Sequence, residues 1–396
     1  MTMKNVIVPI VALCMLATMH AAGCTSSPEP SERPYFVLMQ TGKLPVVINE
    51  ASGLIASRMQ DGVLWALNDS GDEARIFAID DKGNLLSEVK IDNATNRDWE
   101  DIAIGPGPNE GRSYLYIGEI GDNEAKAPTI VVYRLEEPKI AASKMSATAD
   151  KLEFAYPDGA RDAETLLSDP TTGDLYVISK RERRNRIYRA AYPQRTGVVD
   201  TLEFVGELPF YLAVAGDVSP DGREVLVKNY INVFHWKRDV ERGESFRSMF
   251  ARQPDTLEYM PETQGESITW SADGSGYYTV SEQTDSTWTP RIYFYSRVGS
   301  KADVEQLRDV RRPSMSVTMD ADTANYFRIR YTIPEQQHIM LYVTNPFGWR
   351  VIEIENDAAE SGLVERTLDM RNKPAGNYVM RLFTSTFEVS VPFDVR

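Results

Sequence analysis

The stretch Glu100-Asp-Ile-Ala-Ile-Gly105, followed by Asn109-Glu-Gly111 and Tyr114-Leu-Tyr-Ile-Gly118, decides the fold because it recurs. It has the pattern of a short buried strand, a glycine turn and a second strand. Four further segments open in the same way at a spacing of about fifty residues, and they begin Ser52-Gly-Leu-Ile-Ala, Glu164-Thr-Leu-Leu-Ser, Gly216-Asp-Val-Ser-Pro and Glu266-Ser-Ile-Thr-Trp. A fixed period of this length predicts a repeat architecture.

Each repeat continues with a third, aromatic strand, such as Arg75-Ile-Phe-Ala-Ile or Arg291-Ile-Tyr-Phe-Tyr. Fourth strands fit residues 85–91, 151–156, 201–207 and 255–259, while residues 35–48 are free to supply the one missing from the fifth repeat. A four-stranded unit cannot bury both faces alone, so such units pack in a ring. The sequence predicts an all-β protein in which residues 35–297 form a five-bladed β-propeller. Six blades are the alternative, if a degenerate repeat lies within 124–160 or 239–262.

A different module follows the repeats. Residues 298–313 have the mixed charge of a linker and include the one predicted helix, at 302–311. Beyond them, about seven stretches alternate as strands do, and they are 315–320, 326–331, 338–343, 349–354, 364–369, 377–383 and 387–393. This number of strands in such a length predicts an immunoglobulin-like β-sandwich over 314–396.

The N-terminus has the pattern of a bacterial lipoprotein signal. Lys4 precedes an apolar run at 6–19 that is too short to span a membrane, and Ala21-Ala-Gly-Cys24 follows. We expect residues 1–23 to be removed, Cys24 to be acylated and anchored in the lipid bilayer, and residues 24–34 to form a polar tether. This predicts an outer-membrane lipoprotein of the bacterial cell envelope. An ordinary secretory signal cut near Ala22 is the alternative.

Composition excludes several kinds of site. The chain has two cysteines and three histidines; Cys14 and His20 belong to the predicted leader, and Cys24 is the predicted site of acylation. Disulfides, cysteine-ligated zinc, a thiol nucleophile and a multi-histidine centre are therefore excluded from the folded part. A net charge of −15 argues against nucleic acid as a partner, because phosphate binding requires basic stripes.

Carboxylates stand in register across the repeats. Glu100, Glu164 and Glu266 occupy the same position, just before the apolar part of the first strand, and Asp98 and Asp162 stand two residues earlier. Because first strands line the channel of a propeller, we expect these side chains to converge at its mouth. Clustered carboxylates repel one another and suit a hard cation, so Glu100, Glu164 and Glu266 are the predicted ligands of Ca²⁺.

The ends of the second strands add further polar groups to this predicted mouth. Glu119, Lys180, Lys228 and Glu282 stand at comparable places, as does Asp69, and Asp101 and Asp217 lie beside the register position of the first strands. Three interpretations stay open for the whole set: strand capping and hydrogen bonds between blades, a bound structural cation, and a catalytic site. Lys180 and Lys228 are either internal counter-ions of the acids or ligands of an anion.

Several motifs together resemble a known protein family. Asn68-Asp-Ser-Gly-Asp72, Asp98-Trp-Glu-Asp-Ile-Ala103, Ile120-Gly-Asp-Asn123, Asp162-Ala-Glu164 and Gln264-Gly-Glu266 resemble an uncharacterised family of secreted bacterial β-propeller proteins over residues 50–297. The strand openings are distantly similar to those of phytase-type, calcium-dependent esterase-like propellers, whose dense set of acidic and basic residues is not found here. The segments Gly348-Trp-Arg-Val-Ile and Pro374-Ala-Gly-Asn-Tyr resemble the sandwich tails of type IX secretion substrates.

Two functions follow from these patterns. The first is a non-catalytic binding or scaffolding lipoprotein whose propeller presents a ring-shaped surface to an unknown protein or small-molecule ligand. The second is a calcium-dependent phosphoesterase or lactonase-like hydrolase that works through metal-bound water with a glutamate as base. The absence of cysteine and usable histidine favours the first.

Overall fold

Almost every element of the described chain is a β-strand, which confirms the all-β class. The computed structural model describes residues 33–283, 289–301, 303, 313–334, 336–384 and 388–396, and Pro34–Arg396 form one unit. The predicted signal at 1–23, Cys24, most of the tether and, except for Asp303, the predicted helix at 302–311 lie outside the described residues. Within the described part, no helix combines the length and apolarity needed to cross a membrane.

Five sheets follow one another along the chain after a first strand, β1 (Tyr35–Lys43). The first sheet has β2 (Ala51–Ala56), β3 (Val63–Asn68), β4 (Arg75–Asp80) and β5 (Leu85–Ile91), with β9 (Lys144–Ala147) at its edge, and the second has β6 (Trp99–Pro106), β7 (Ser113–Glu119), β8 (Ile130–Glu136) and β10 (Asp150–Ala155), with β14 (Val199–Thr201) at its edge. The third sheet has β11 (Ala163–Ser168), β12 (Leu175–Ser179), β13 (Arg186–Ala190) and β15 (Glu203–Glu207), and the fourth has β16 (Ala215–Val218), β17 (Glu224–Lys228), β18 (Val233–Lys237) and β19 (Asp255–Thr256). The fifth sheet has β20 (Ser267–Trp270), β21 (Gly276–Val280) and β22 (Arg291–Val298).

The fifth sheet is completed by the first strand of the chain. β1 pairs antiparallel with β22, from Tyr35 opposite Val298 to Lys43 opposite Arg291, and takes the place of the fourth strand missing from the fifth repeat. The two stretches considered for a sixth repeat do not form a sheet of their own. β9 joins the edge of the first sheet in parallel with β5, β10 is the fourth strand of the second sheet, and β19 that of the fourth.

The first strands of the five sheets form a closed circle. They contact one another in the order β2, β6, β11, β16 and β20, and β20 contacts β2 again. An apolar cluster fills each gap between consecutive sheets: Leu166 faces the second sheet, whereas its neighbour Leu167 faces the fourth. Because strand side chains alternate, each sheet is buried on both faces, which gives a propeller-like arrangement.

The glycine turns of the repeats have one conformation. The hairpin between the first and second strand of every sheet contains a glycine with a φ between 70° and 77°, a region that other residues rarely adopt; these are Gly62, Gly111, Gly173, Gly222 and Gly274. The recurrence of this residue in the sequence therefore reflects one turn geometry used five times.

A short helix interrupts the fourth sheet. α1 (Phe246–Phe250) begins after Ser245, whose hydroxyl accepts a hydrogen bond from the backbone of Ser248. Phe246 stacks on Tyr176 of the third sheet with ring centroids 4.6 Å apart. Sequence periodicity did not predict α1, because five residues are too few to show a helical period.

Two further sheets make up the C-terminal part. One contains β23 (Ser314–Met319), β24 (Tyr326–Ile333) and β27 (Gly362–Asp369), and the other has the order β26 (Arg350–Ala359), β25 (Gln337–Thr344), β28 (Gly376–Thr384) and β29 (Glu388–Val395). Their inner faces share one apolar cluster, in which Ile329 and Tyr331 meet Leu341, Met380 and Phe393. β24 alternates between buried and less buried residues, whereas β2, β3, β11 and β12 are buried along their whole length.

Candidate functional site

The carboxylates of the repeats meet at one end of the circle. Each first strand begins where the second strand ends, as the pairs Trp99–Glu119, Ala163–Ser179 and Ser267–Val280 show. Side chains before the first strand and after the second strand of every sheet are therefore brought to the same end.

β-Bulges mark the key position in three of the five sheets. The register of the first strand shifts between Ala51 and Gly53, between Trp99 and Asp101, and between Ala163 and Thr165. The extra residue at each shift is Ser52, Glu100 or Glu164. A bulge breaks the two-residue alternation of a strand and redirects a side chain, so Glu100 and Glu164 do not follow the alternation of the residues around them.

Seven carboxylic side chains form what we call the acidic mouth, namely Asp69, Asp98, Glu100, Asp162, Glu164, Glu266 and Glu282. Two groups of three stand out within it: Asp69, Asp98 and Glu100, and Glu100, Asp162 and Glu164. In each group, one oxygen per residue lies within 4.8 Å of the others. Glu100 belongs to both groups, and Glu266 belongs to neither.

The acidic mouth has a buried floor and a partly exposed rim. Glu100, Asp162, Glu164 and Glu266 are at most 6% exposed, whereas Asp69, Asp98 and Glu282 are half-buried. Burial raises the pKa of Glu100 well above its usual value, and repulsion from Glu164 and Asp69 adds to this effect. Burial likewise raises the pKa of Asp69 to about 7, with repulsion from Glu266 and Asp98. The cluster therefore resists full ionisation on its own.

One lysine neutralises part of this charge. Lys180 Nζ pairs with Glu164 Oε1 and lies 3.8 Å from Glu266 Oε1. Burial opposes the charge of Lys180, but Glu164 and Glu266 raise its pKa above the usual value. The Tyr230 hydroxyl donates a hydrogen bond to Glu266. Among the described residues, Glu164 Oε2 is buried without a hydrogen-bond partner.

A glycine allows two acids to approach the backbone. A Cβ on Gly121 would overlap Glu100 Oε1 and lie 2.5 Å from Asp98 Oδ2. The next residue, Asp122, donates its backbone N–H to Asp162 Oδ1 at 2.9 Å, and Arg181 Nε lies 2.5 Å from Asp162 Oδ2. The loop after β7 thus packs directly against both groups.

Asp101 and Asp217 are engaged in hydrogen bonds between sheets. Asp101 accepts the backbone N–H of Leu166 in the third sheet at 2.9 Å, and Asp217 accepts that of Trp270 in the fifth sheet at 2.8 Å. Each also bonds the backbone of the residue after it. These contacts match the interpretation of repeat-position acids as bonds between blades.

Two other predicted residues, Lys228 and Glu119, belong to neither group of three carboxylates. Lys228 is fully buried, donates to the carbonyl of Gly265 at 2.6 Å and lies over the Tyr259 ring. Burial lowers its pKa to about 8. Glu119 lies 3.6 Å from Arg97 and accepts a hydrogen bond from Thr95 at 3.4 Å.

Sequence reasoning undervalued three contributors. Asp69 stands at a second-strand end that the repeat alignment had marked, but it was not among the predicted ligands. Gly121 and Tyr230 carry no repeat signal, because each lies in a loop whose length differs between repeats.

No protein-family model matches the chain, and no curated protein matches it. Among solved structures it is similar to hydrazine synthase of Kuenenia stuttgartiensis, with 14% identity, a TM-score of 0.34 and coverage of 74% of this chain and 79% of the other. It is also similar to a chain of the nidogen/laminin complex, with 13% identity, a TM-score of 0.36 and coverage of 63% and 86%. Likenesses of this strength indicate no activity.

Proposed function

We propose that the chain is a membrane-anchored binding module of the bacterial cell envelope that holds Ca²⁺ at the acidic mouth. Acylated Cys24 and the tether at 24–34 attach it to the outer membrane. A five-bladed β-propeller presents the acidic mouth to a protein or small-molecule ligand, and an immunoglobulin-like sandwich follows the propeller.

Topology supports the finer fold assignment. Five sheets with touching first strands, and an apolar cluster in every gap, are what five blades require. In the C-terminal part, three strands oppose four in the order first-second-fifth and fourth-third-sixth-seventh. Compared with the constant-type immunoglobulin arrangement, only the fourth strand has changed sheets.

The cation assignment depends chiefly on Glu100 and Glu164. Glu100 is common to two carboxylate triplets, and Glu164 keeps a buried oxygen without a partner. Ca²⁺ binds oxygens at 2.3–2.6 Å, so opposite ligands lie up to about 5 Å apart, which suits the spacing of both triplets. Glu100, Glu164 and Asp162 would provide the floor ligands, and Asp69 and Asp98 the rim. Glu266, named as a ligand from the sequence, is better placed to orient Lys180.

The surroundings of the acids offer no histidine base among the described residues and leave room for a bound ligand. His235 is buried in β18, where its Nε2 lies 3.0 Å from Glu224 Oε1, so it does not supply a base at the mouth. The half-buried rim of Asp69, Asp98 and Glu282 leaves the outer side of a cation open to a ligand oxygen.

Thermal unfolding tests the cation directly. Ca²⁺ at a hundredfold excess over its dissociation constant should stabilise the protein by about 2.7 kcal/mol relative to chelator. Glu100→Gln should lose this gain, and in chelator it should be at least as stable as wild type, because it removes repulsion from Glu164 and Asp69. Glu241→Gln, on an exposed pair with Arg223, is the control. An equal melting temperature of the wild-type protein in calcium and chelator would exclude the cation.

Cysteine substitution tests the anchor. Cys24→Ser should prevent incorporation of labelled palmitate and move the protein from the membrane to the soluble fraction of a bacterial host. Cys14→Ser, within the predicted signal, is the matched control and should leave both unchanged. Palmitate on the Cys24→Ser protein would contradict the lipoprotein assignment.

A further inference from the structure

The C-terminal sheets hold the segment that leads into the acidic mouth. Arg381 of β28 is 1% exposed, and its guanidinium donates hydrogen bonds to the carbonyls of Pro261 and Glu262. It also pairs with buried Glu388 at 3.0 Å. A guanidinium with a buried counter-ion and two carbonyl acceptors is a rigid anchor, because its donors have fixed directions.

Two more contacts join the C-terminal sheets to the residues that follow Glu262. The Thr263 hydroxyl lies 3.0 Å from the Tyr342 hydroxyl of β25, in a buried bond. The backbone of Gly348, in the hairpin between β25 and β26, lies so close to Gln264 that an added Cβ would overlap Gln264 Oε1. Residues 261–263 are thus held by hydrogen bonds from the C-terminal part, and the side chain of Gln264 packs against Gly348.

The next residues along the chain connect this segment to the acidic mouth. The carbonyl of Gln264 accepts the backbone N–H of Glu282 at 3.0 Å, and that of Gly265 accepts Lys228 Nζ. Glu266 then meets Tyr230 and Lys180. Between the two sets of contacts, Gln264 has a φ of 47°, which is unfavourable for a residue other than glycine and persists only where the surroundings enforce it.

We propose that the C-terminal sandwich is a positioning element of the cation site: Arg381, Tyr342 and Gly348 keep Gln264 left-handed, so that the Gln264 carbonyl holds Glu282 in place and Glu266 holds Lys180 beside Glu164. This inference rests on the proposed function. It makes the sandwich part of the binding site rather than a separate tail.

Paired glycine substitutions test the proposal through calcium affinity, measured by isothermal titration of the full chain with Ca²⁺ alone. Gly348→Ala should weaken binding about tenfold, within the usual range of coupling between sites. Gly362→Ala is the matched control, since Gly362 also has a positive φ but no atom within 4 Å of an added Cβ. It should lower the melting temperature and leave calcium affinity unchanged.

If Gly348→Ala does not fold, a pair of milder tyrosine substitutions tests the proposal instead. Tyr342→Phe removes only the hydroxyl bonded to Thr263 and should weaken calcium binding about threefold, the effect of one ordinary hydrogen bond. Tyr378→Phe, which removes a hydroxyl bonded to Pro374 within the sandwich, should have no effect. If Gly348→Ala folds and binds Ca²⁺ with wild-type affinity, the proposal is wrong, although the calcium site itself stands. If Gly348→Ala does not fold, wild-type affinity in Tyr342→Phe has the same meaning. A wild-type protein that binds no Ca²⁺ would overturn both.

Discussion

Gly121→Ala is expected to abolish calcium binding while leaving the fold nearly as stable as wild type. The new methyl group would occupy the space of Glu100 Oε1 and Asp98 Oδ2. Both oxygens end side chains that can rotate away, so the backbone has no need to move. Displacing Glu100 disrupts both carboxylate triplets at once. Calcium affinity should fall by more than the loss of about 10–100-fold that substitutions outside the ligand shell cause.

Calorimetric titration and thermal unfolding in chelator separate affinity from stability for this variant. Gly206→Ala is the control, because no atom of the described residues lies within 4 Å of a Cβ there and Gly206 has no left-handed φ. It should bind Ca²⁺ as the wild type does. Unchanged affinity in Gly121→Ala would show that Asp98 and Glu100 are not ligands.

Repetition explains how much of the architecture could be predicted. Five turns need the same left-handed glycine, and every sheet must bury two faces, so each repeat carries the same residues at the same spacing. Strand β1 was assignable to the fifth sheet because the fifth repeat lacked a strand. The convergence of Glu100 and Glu164 followed from their shared position at the start of a first strand.

Features that the pattern of apolar and polar residues does not encode could not be predicted. The bulges at Glu100 and Glu164 depend on backbone register, which alternating hydrophobicity does not show. Asp101 and Glu100 are neighbours of the same chemical type, yet only coordinates reveal that one bonds the next sheet and the other faces acids. Lys228 resembles Lys180 in the alignment but points toward the Gly265 carbonyl.

Arg381→Met is expected to destabilise the protein by about 3–5 kcal/mol, the effect of removing one partner of a buried ion pair. Buried Glu388 would lose the guanidinium that lies 3.0 Å from it and would keep the Ser390 hydroxyl and the charge of Arg291. The carbonyls of Pro261 and Glu262 would lose the hydrogen bonds from Arg381. Urea unfolding at neutral pH measures the loss. Arg330→Met breaks a pair with Glu365 in which both side chains are about half exposed, and it should change stability little.

The double variant Arg381→Met with Glu388→Met separates the charge from the carbonyl contacts. Removing both charges relieves the buried carboxylate, so the double variant should be more stable than Arg381→Met alone. Recovery should stay incomplete, because the Arg381 guanidinium no longer donates to the carbonyls of Pro261 and Glu262. If the double variant is as stable as wild type, Arg381 stabilises the protein only by neutralising Glu388. Its hydrogen bonds to the backbone at 261–262 would then not help the sandwich to position the segment that carries Glu266.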